Sequence, residues 1–148
     1  MEGVDPRMSD AILKDKEFFQ LGIVVADYDG ALAHWKKLLG KEPDAVGICG
    51  SKEGGTAKQA CFNLPNTMIE ILGPDEGDSV WRRHLAMHGP GIQHIAIRFD
   101  DPAKALAALN GAGFATTQES AHRKDAFGNA YVDSLAALGV DLEVLGDR

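Results

Sequence analysis

Cysteine is scarce in this 148-residue chain. Its two cysteines, Cys49 and Cys61, are too few for a disulfide framework. Cys61 sits in a strand-like run, which predicts a buried free thiol rather than a crosslink. Basic charge is also in deficit: 15 Lys and Arg stand against 22 Asp and Glu, a formal net charge of −7. That balance argues against general nucleic-acid binding, although a local basic patch for an anionic ligand is compatible with it. Long apolar runs are missing, since no stretch approaches the roughly 20 residues a membrane helix needs. The polar start, Met1 to Asp10, lacks the apolar core of a secretion signal, and Met8 offers a second start behind a short leader. The expectation is a cytoplasmic protein with no nucleic-acid partner and no membrane partner.

What is present suits one compact domain. Hydrophobic residues make up 45% and charged residues 25%, enough to build a single core at this length. Residues 1–17 are charged and turn-rich and read as a flexible lead-in. Phe18 to Ala26 is rich in β-branched and aromatic residues and reads as a strand. Asp29 is the expected cap of a helix running from Ala31 to Leu39, with Gly40 as its stop. Leu32, Trp35, Leu38 and Leu39 fall on one face of it. Short strands are expected at 45–49, 58–64 and 67–72, the last two joined by a turn at 63–67. Residues 78–88 read as a connecting helix. The second half repeats the plan: a strand at 92–99, a helix at 103–109 introduced by Asp101-Pro102, and strands near 115–118, 130–134 and 140–145.

The halves align by eye. Residues 20–27 (QLGIVVAD) match 94–101 (HIAIRFDD), and 68–73 (MIEILG) match 141–146 (DLEVLG). Offsets of 74 and 73 residues indicate a duplicated β-α-β-β-β unit: module one at 18–74, module two at 91–146, and the helix at 78–88 between them. Strand side chains alternate faces. Ile23, Ile69, Ile97 and Val144 therefore fall on the helix side, and Gln20, Glu70, His94 and Glu143 take equivalent places on the opposite face. A glutamate flanked by isoleucines in a half-buried strand is costly without a partner. Two of them at repeat-equivalent places call for one shared reason, and a divalent cation supplies it. The ion neutralises both carboxylates and takes the Gln20 oxygen and a ring nitrogen of His94. An oxygen-rich set with one imidazole is compatible with zinc, nickel, cobalt, manganese or magnesium.

These residues and the duplicated plan resemble the vicinal oxygen chelate superfamily, which includes glyoxalase I, methylmalonyl-CoA epimerase, extradiol dioxygenases and bleomycin-binding proteins. The likeness spans about 18–146. It is strongest to the epimerase-type group at residues 21–25 (LGIVV), 33–40 (AHWKKLLG) and 89–97 (GPGIQHIAI). The resemblance implies an α+β fold in which two tandem βαβββ modules form an open, cup-shaped mixed sheet around one metal site. The ligands would come from the first and last strands of each module. It also implies a homodimer. The epimerases place a catalytic carboxylate ahead of the second ligand, and counting back from Glu70 reaches Glu53. Epimerases usually have His at the first ligand position and often Gln at the second, whereas the Gln, Glu, His, Glu set here is like that of eukaryotic-type glyoxalase I.

The implied activity is that of a metal-dependent isomerase, an epimerase or racemase that removes a proton next to a carbonyl through a metal-stabilised enolate. Glu143 is the expected base, with Glu53 or Glu70 on the other side. A glyoxalase I-like lyase acting on a thiol–aldehyde adduct is the alternative, and a binding or resistance protein without turnover is a further one. The substrate would be a small molecule, such as a thioester or thiol conjugate. Arg98 points into the cup by parity, and Arg123 and Lys124 belong to a small basic cluster, so all three are candidates for its anionic group. His34, His84 and His88 read as surface residues, while Trp81 and Phe127 are candidates for the cup lining or a subunit contact.

Overall fold

The computed structural model describes residues 11–120 and 127–146. Its elements follow the order β1 (Glu17–Val24), α1 (Tyr28–Leu39), β2 (Ala45–Gly50), β3 (Thr56–Asn63), β4 (Met68–Pro74), α2 (Val80–His88), β5 (Gly91–Phe99), α3 (Pro102–Gly111), β6 (Thr116–Glu119), β7 (Asn129–Val132), α4 (Leu135–Leu138) and β8 (Asp141–Gly146). This is the expected α+β duplication, with the short α4 added to the second copy. No helix among the described residues is long and apolar enough to cross a membrane.

All eight strands form one mixed sheet in the order β2-β3-β4-β1-β5-β8-β7-β6. The order reads symmetrically from the centre, where the first strands of the two copies, β1 and β5, pair antiparallel. Each pairs on its other side in parallel with the last strand of its own copy, β1 with β4 and β5 with β8. The sheet curls until its outer ends meet. Ser51, just past β2, bridges to Ser120, just past β6, and Lys52 reaches Glu119 at 2.7 Å. One chain thus completes its own cup.

The outer face carries two helix-covered cores. Phe62, Ile69 and Ile71 lie beneath α1, with Ile23, Val25, Leu32, Trp35 and Leu39 packed against them. Ile97, Phe99, Leu142 and Val144 lie with Leu106 and Leu109 of α3, joined by Ile12 and Leu13 from the segment before β1. Each fully buried aliphatic side chain of this kind contributes about 1.5–3 kcal/mol. The sequence expectation for α1 needs two corrections. Leu38 is 80% exposed, because the helix–sheet contact is filled by Tyr28 and Ala31 from the first turn instead. The helix also starts earlier than expected, and its cap is Asp27, whose side chain accepts from the Gly30 amide. Gly40 does end it, at φ 68°, in the left-handed region that favours glycine.

The connecting helix α2 closes one end of the cup. Val80 and Trp81 enter between the sheet walls and pack against Val24, Ala57, Leu72 and Tyr131. Ser79 caps the helix by accepting from the Arg82 amide. Trp81 therefore lines the cup floor. Phe127 packs instead on the α3 side of the second module.

Candidate metal centre

The four predicted ligand positions converge. His94 is fully buried, and Glu143, Glu70 and Gln20 are 2, 5 and 7% exposed. The convergence follows from strand register. In the central pair Gly22 lies opposite His94 and Gln20 opposite Ala96, while the parallel pairs set Gly22 beside Glu70 and Ala96 beside Glu143. Three oxygens surround one ring nitrogen: His94 Nε2 lies 3.1 Å from Gln20 Oε1, 3.2 Å from Glu70 Oε1 and 3.3 Å from Glu143 Oε1. Space for the ring comes from glycine. A Cβ on Gly22 would stand 1.9 Å from His94 Cε1, so no other residue fits there without moving the imidazole.

Two buried carboxylates this close repel each other and lose hydration, a cost a buried ion pair alone repays only with good geometry. Burial of the His94 ring disfavours its charge, but Glu143 and Glu70 outweigh that and hold its pKa up to about 10. The protonated ring thus partly neutralises the carboxylates. Even so, Glu70 Oε1 is buried with no hydrogen-bond partner among the described residues. The ligand atoms of Glu70, His94 and Glu143 lie within 4.8 Å of one another. An unpartnered buried carboxylate oxygen beside a second carboxylate and an imidazole suits a divalent cation, so the donors present fit the ion that the sequence called for. Nearby, burial and then the same two carboxylates push the Cys49 thiol and the Tyr131 hydroxyl well above their ordinary pKa values.

Several side chains at the centre were not anticipated. Gln59 Nε2 donates to Glu70 Oε2. Its signal was available, because Gln59 lies two residues from Cys61, which pairs with Glu70, and so shares its face. Gln93 Oε1 lies 2.6 Å from His94 Nδ1. Period-two alternation would put Gln93 and His94 on opposite faces, but β5 has one extra residue here, since Gly22 pairs with His94 and the next residue, Ile23, with Ile92. Tyr131 meets the His94 ring edge to face at 5.0 Å, and its hydroxyl accepts from Trp81 Nε1 at 3.2 Å. Gln20 Nε2 points to Met68 Sδ at 3.2 Å.

A solvent-facing cavity adjoins the centre at Gln20. It has a volume of about 490 Å³ and is lined by Phe19, Gln20, Gln59, Cys61, Met68 and Arg98, among others. Arg98 faces this mouth as parity predicted. Its guanidinium lies over the Phe19 ring at 4.1 Å, and its buried Nε has no hydrogen bond among the described residues, with Glu17 at 3.8 Å. Cys61 is buried, as expected. Glu53 is exposed in the turn between β2 and β3, and no contact of the described residues brings it to the four ligand positions. Arg123 and Lys124 lie outside the described residues. His34 and His88 are exposed and His84 is half-buried.

Solved structures share this architecture. A methylmalonyl-CoA epimerase from Mycobacterium tuberculosis is 27% identical, with a TM-score of 0.68 over 88% of this chain and 87% of that one. A methylmalonyl-CoA epimerase from Streptomyces coelicolor, in complex with 2-nitronate-propionyl-CoA, is 20% identical, with a TM-score of 0.68 over 89% and 94%. No curated protein sequence matches the chain. The family model described as "Glyoxalase/Bleomycin resistance protein/Dioxygenase superfamily" matches residues 19–132, and with the duplicated cup and its buried centre this shows that the chain belongs to that superfamily, the vicinal oxygen chelate proteins.

Proposed function

We propose that the protein is a metal-dependent isomerase, an epimerase or racemase acting at a carbon next to a carbonyl. One observation carries this reading: three buried oxygens, from Gln20, Glu70 and Glu143, surround His94 Nε2, and Gln20 also lines an open cavity beside them. Gln20, Glu70, His94 and Glu143 would hold one divalent ion. When bound, such an ion supplies positive charge for the oxygen that becomes negative as the neighbouring carbon loses its proton.

The chain's own residues account for the remaining roles. Glu143 takes the substrate proton at a carboxylate oxygen. Inversion needs a proton donor on the opposite face, and Glu70 is the second carboxylate at the centre. Glu53 could serve only if its turn brought it over the mouth. Arg98, stacked on Phe19, offers its guanidinium to an anionic group on the substrate. Phe19 and Met68 give the mouth apolar walls that exclude water from the reacting carbon. A small thioester is the substrate class favoured by the likeness to a methylmalonyl-CoA epimerase. The exposed Leu38, Val46 and Ile48 of the first module support a homodimer, which sedimentation velocity would test.

The first experiment is metal content and solvent exchange together. Wild type should hold one divalent ion per chain, and Glu143→Gln and His94→Ala should lose it or bind it at least tenfold more weakly. The loaded wild type should exchange the acidic C–H of 2-methyl-branched acyl-CoA thioesters in heavy water. A glyoxalase I-like lyase is the second reading, favoured by the Gln20, Glu70, His94, Glu143 set itself. It would turn over a thiol–aldehyde adduct and need the thiol. An ion-binding protein that exchanges no proton and turns over neither substrate would be a binding module.

A further inference from the structure

We propose that Gln59 and Gln93 are positioning residues: two amides that aim Glu70 and His94 at the metal centre and leave Glu143 as the carboxylate free to move. The proposal rests on the metal-centre reading above, and its test separates the two.

The argument begins at His94. A ring nitrogen that faces an amide oxygen must carry the proton, because that oxygen can only accept. Gln93 Oε1 faces Nδ1 at 2.6 Å, so Nδ1 is the N–H and Nε2 is the nitrogen whose lone pair becomes available once the ring is neutral. Nε2 is also the atom surrounded by Gln20, Glu70 and Glu143. Gln93 reaches this place because it is the extra residue of a β-bulge in β5, and bulges re-aim side chains. The other copy has a bulge at the matching place. Between Phe18 and Gln20, β1 holds the extra residue Phe19, 74 positions before Gln93. That bulge supports Arg98 at the mouth, whereas the one at Gln93 supports a ligand.

Glu70 is held in the same manner. Gln59 Nε2 donates to Oε2, which leaves Oε1, the buried oxygen without a hydrogen-bond partner, as the one facing His94 Nε2. A carboxylate held through one oxygen and aimed through the other is a fixed ligand. No amide holds Glu143 among the described residues, where its charged contact is Oε1 with His94 Nε2 at 3.3 Å. The two glutamates hold equivalent places in the duplication, yet one is tethered and the other is not. That difference makes Glu70 the stationary carboxylate of the pair and Glu143 the one free to move.

The test is a zinc titration of the metal-free full-length protein against a chromophoric chelator. Gln59→Met and Gln93→Met keep approximate volume and remove the hydrogen bonds; each should weaken zinc binding about 10- to 100-fold, the usual effect of losing an outer-shell partner. Gln93→Glu keeps an acceptor for Nδ1–H, gives up the Nε2 that is buried without a partner among the described residues and adds a carboxylate, a usual partner of a metal-ligating imidazole; it should bind zinc no more than about threefold more weakly than wild type. A general packing defect would not be rescued in this way. Nitrogen-15 NMR of the zinc-loaded wild type gives a readout that needs no variant, and His94 should show a protonated Nδ1 and a zinc-bound Nε2. Met variants that bind like wild type, or a zinc-bound Nδ1, would overturn the proposal while leaving the metal centre intact. A wild type that binds none of zinc, nickel, cobalt or manganese would overturn the metal-centre reading itself, and the proposal with it.

Discussion

At the residue scale, the imidazole of His94 decides how the protein responds to protons. Burial works against its charge, but Glu143 and Glu70 hold its pKa up to about 10, above the roughly 6.5 of an unfolded histidine. The stability this charge contributes is therefore complete below about pH 6.5 and is lost as pH rises through about 10. Metal-free protein, kept so with a chelator, should melt at progressively lower temperature between pH 7 and 10. A bound cation must displace the same proton, so zinc affinity should rise across that window. A flat melting profile in the metal-free protein would refute the account. Gly22 sets a steric condition on the same ring. Gly22→Ala places a methyl 1.9 Å from His94 Cε1, and overpacking of this kind costs about 1–3 kcal/mol. Its melting temperature should fall, and zinc binding should weaken because the ring must move. The ligand positions at Gln20, Glu70 and Glu143 were legible because each lies between apolar neighbours in a strand, and His94 because it repeats Gln20 at an offset of 74 residues. Gln93 was not, because a bulge breaks the alternation on which that reading depends.

At the scale of elements, every strand and the three longer helices were readable from patterning, and the errors fell at the ends. Asp27 rather than Asp29 caps α1, since the two aspartates flank Tyr28 and only the three-dimensional path decides which side chain meets the Gly30 amide. The four-residue α4 gave no periodic signal of its own. What α2 does was only partly legible. Its sequence reads as a connecting helix with Trp81 a candidate for the cup lining or a subunit contact, and the structure has Val80 and Trp81 together plug the cup. Trp81 donates to the Tyr131 hydroxyl, and Tyr131 in turn braces His94. Tyr131→Phe removes the acceptor and leaves a buried indole N–H unpaired, which costs about 1–3 kcal/mol. Chemical denaturation should show the loss as a lower midpoint with an unchanged slope. The Lys52–Glu119 pair offers a contrast. Both side chains are nearly half exposed, so Lys52→Met should shift stability by less than about 1 kcal/mol.

At the scale of the whole molecule, the duplication was the strongest signal in the sequence, because two independent segments gave offsets within one residue of each other. It puts the four candidate ligand positions, Gln20, Glu70, His94 and Glu143, on one face of the sheet. Closure of the cup by contact between the outer sheet ends could not be read, since it depends on sheet curvature rather than on any local pattern. The chain also crosses from one copy to the other only once, through the segment between β4 and β5. Among the described residues the two copies meet along the β1–β5 seam, at the α2 plug, at the Ser51–Ser120 rim and where Ile12 and Leu13 pack on the second core. A cut in the segment between β4 and α2 would give two fragments, each carrying two of the four ligands and neither a whole site. Fragment complementation then becomes a test of how tightly the ion couples the halves. The separated pieces should associate more strongly when zinc is supplied, and zinc should bind neither piece as it binds the intact chain.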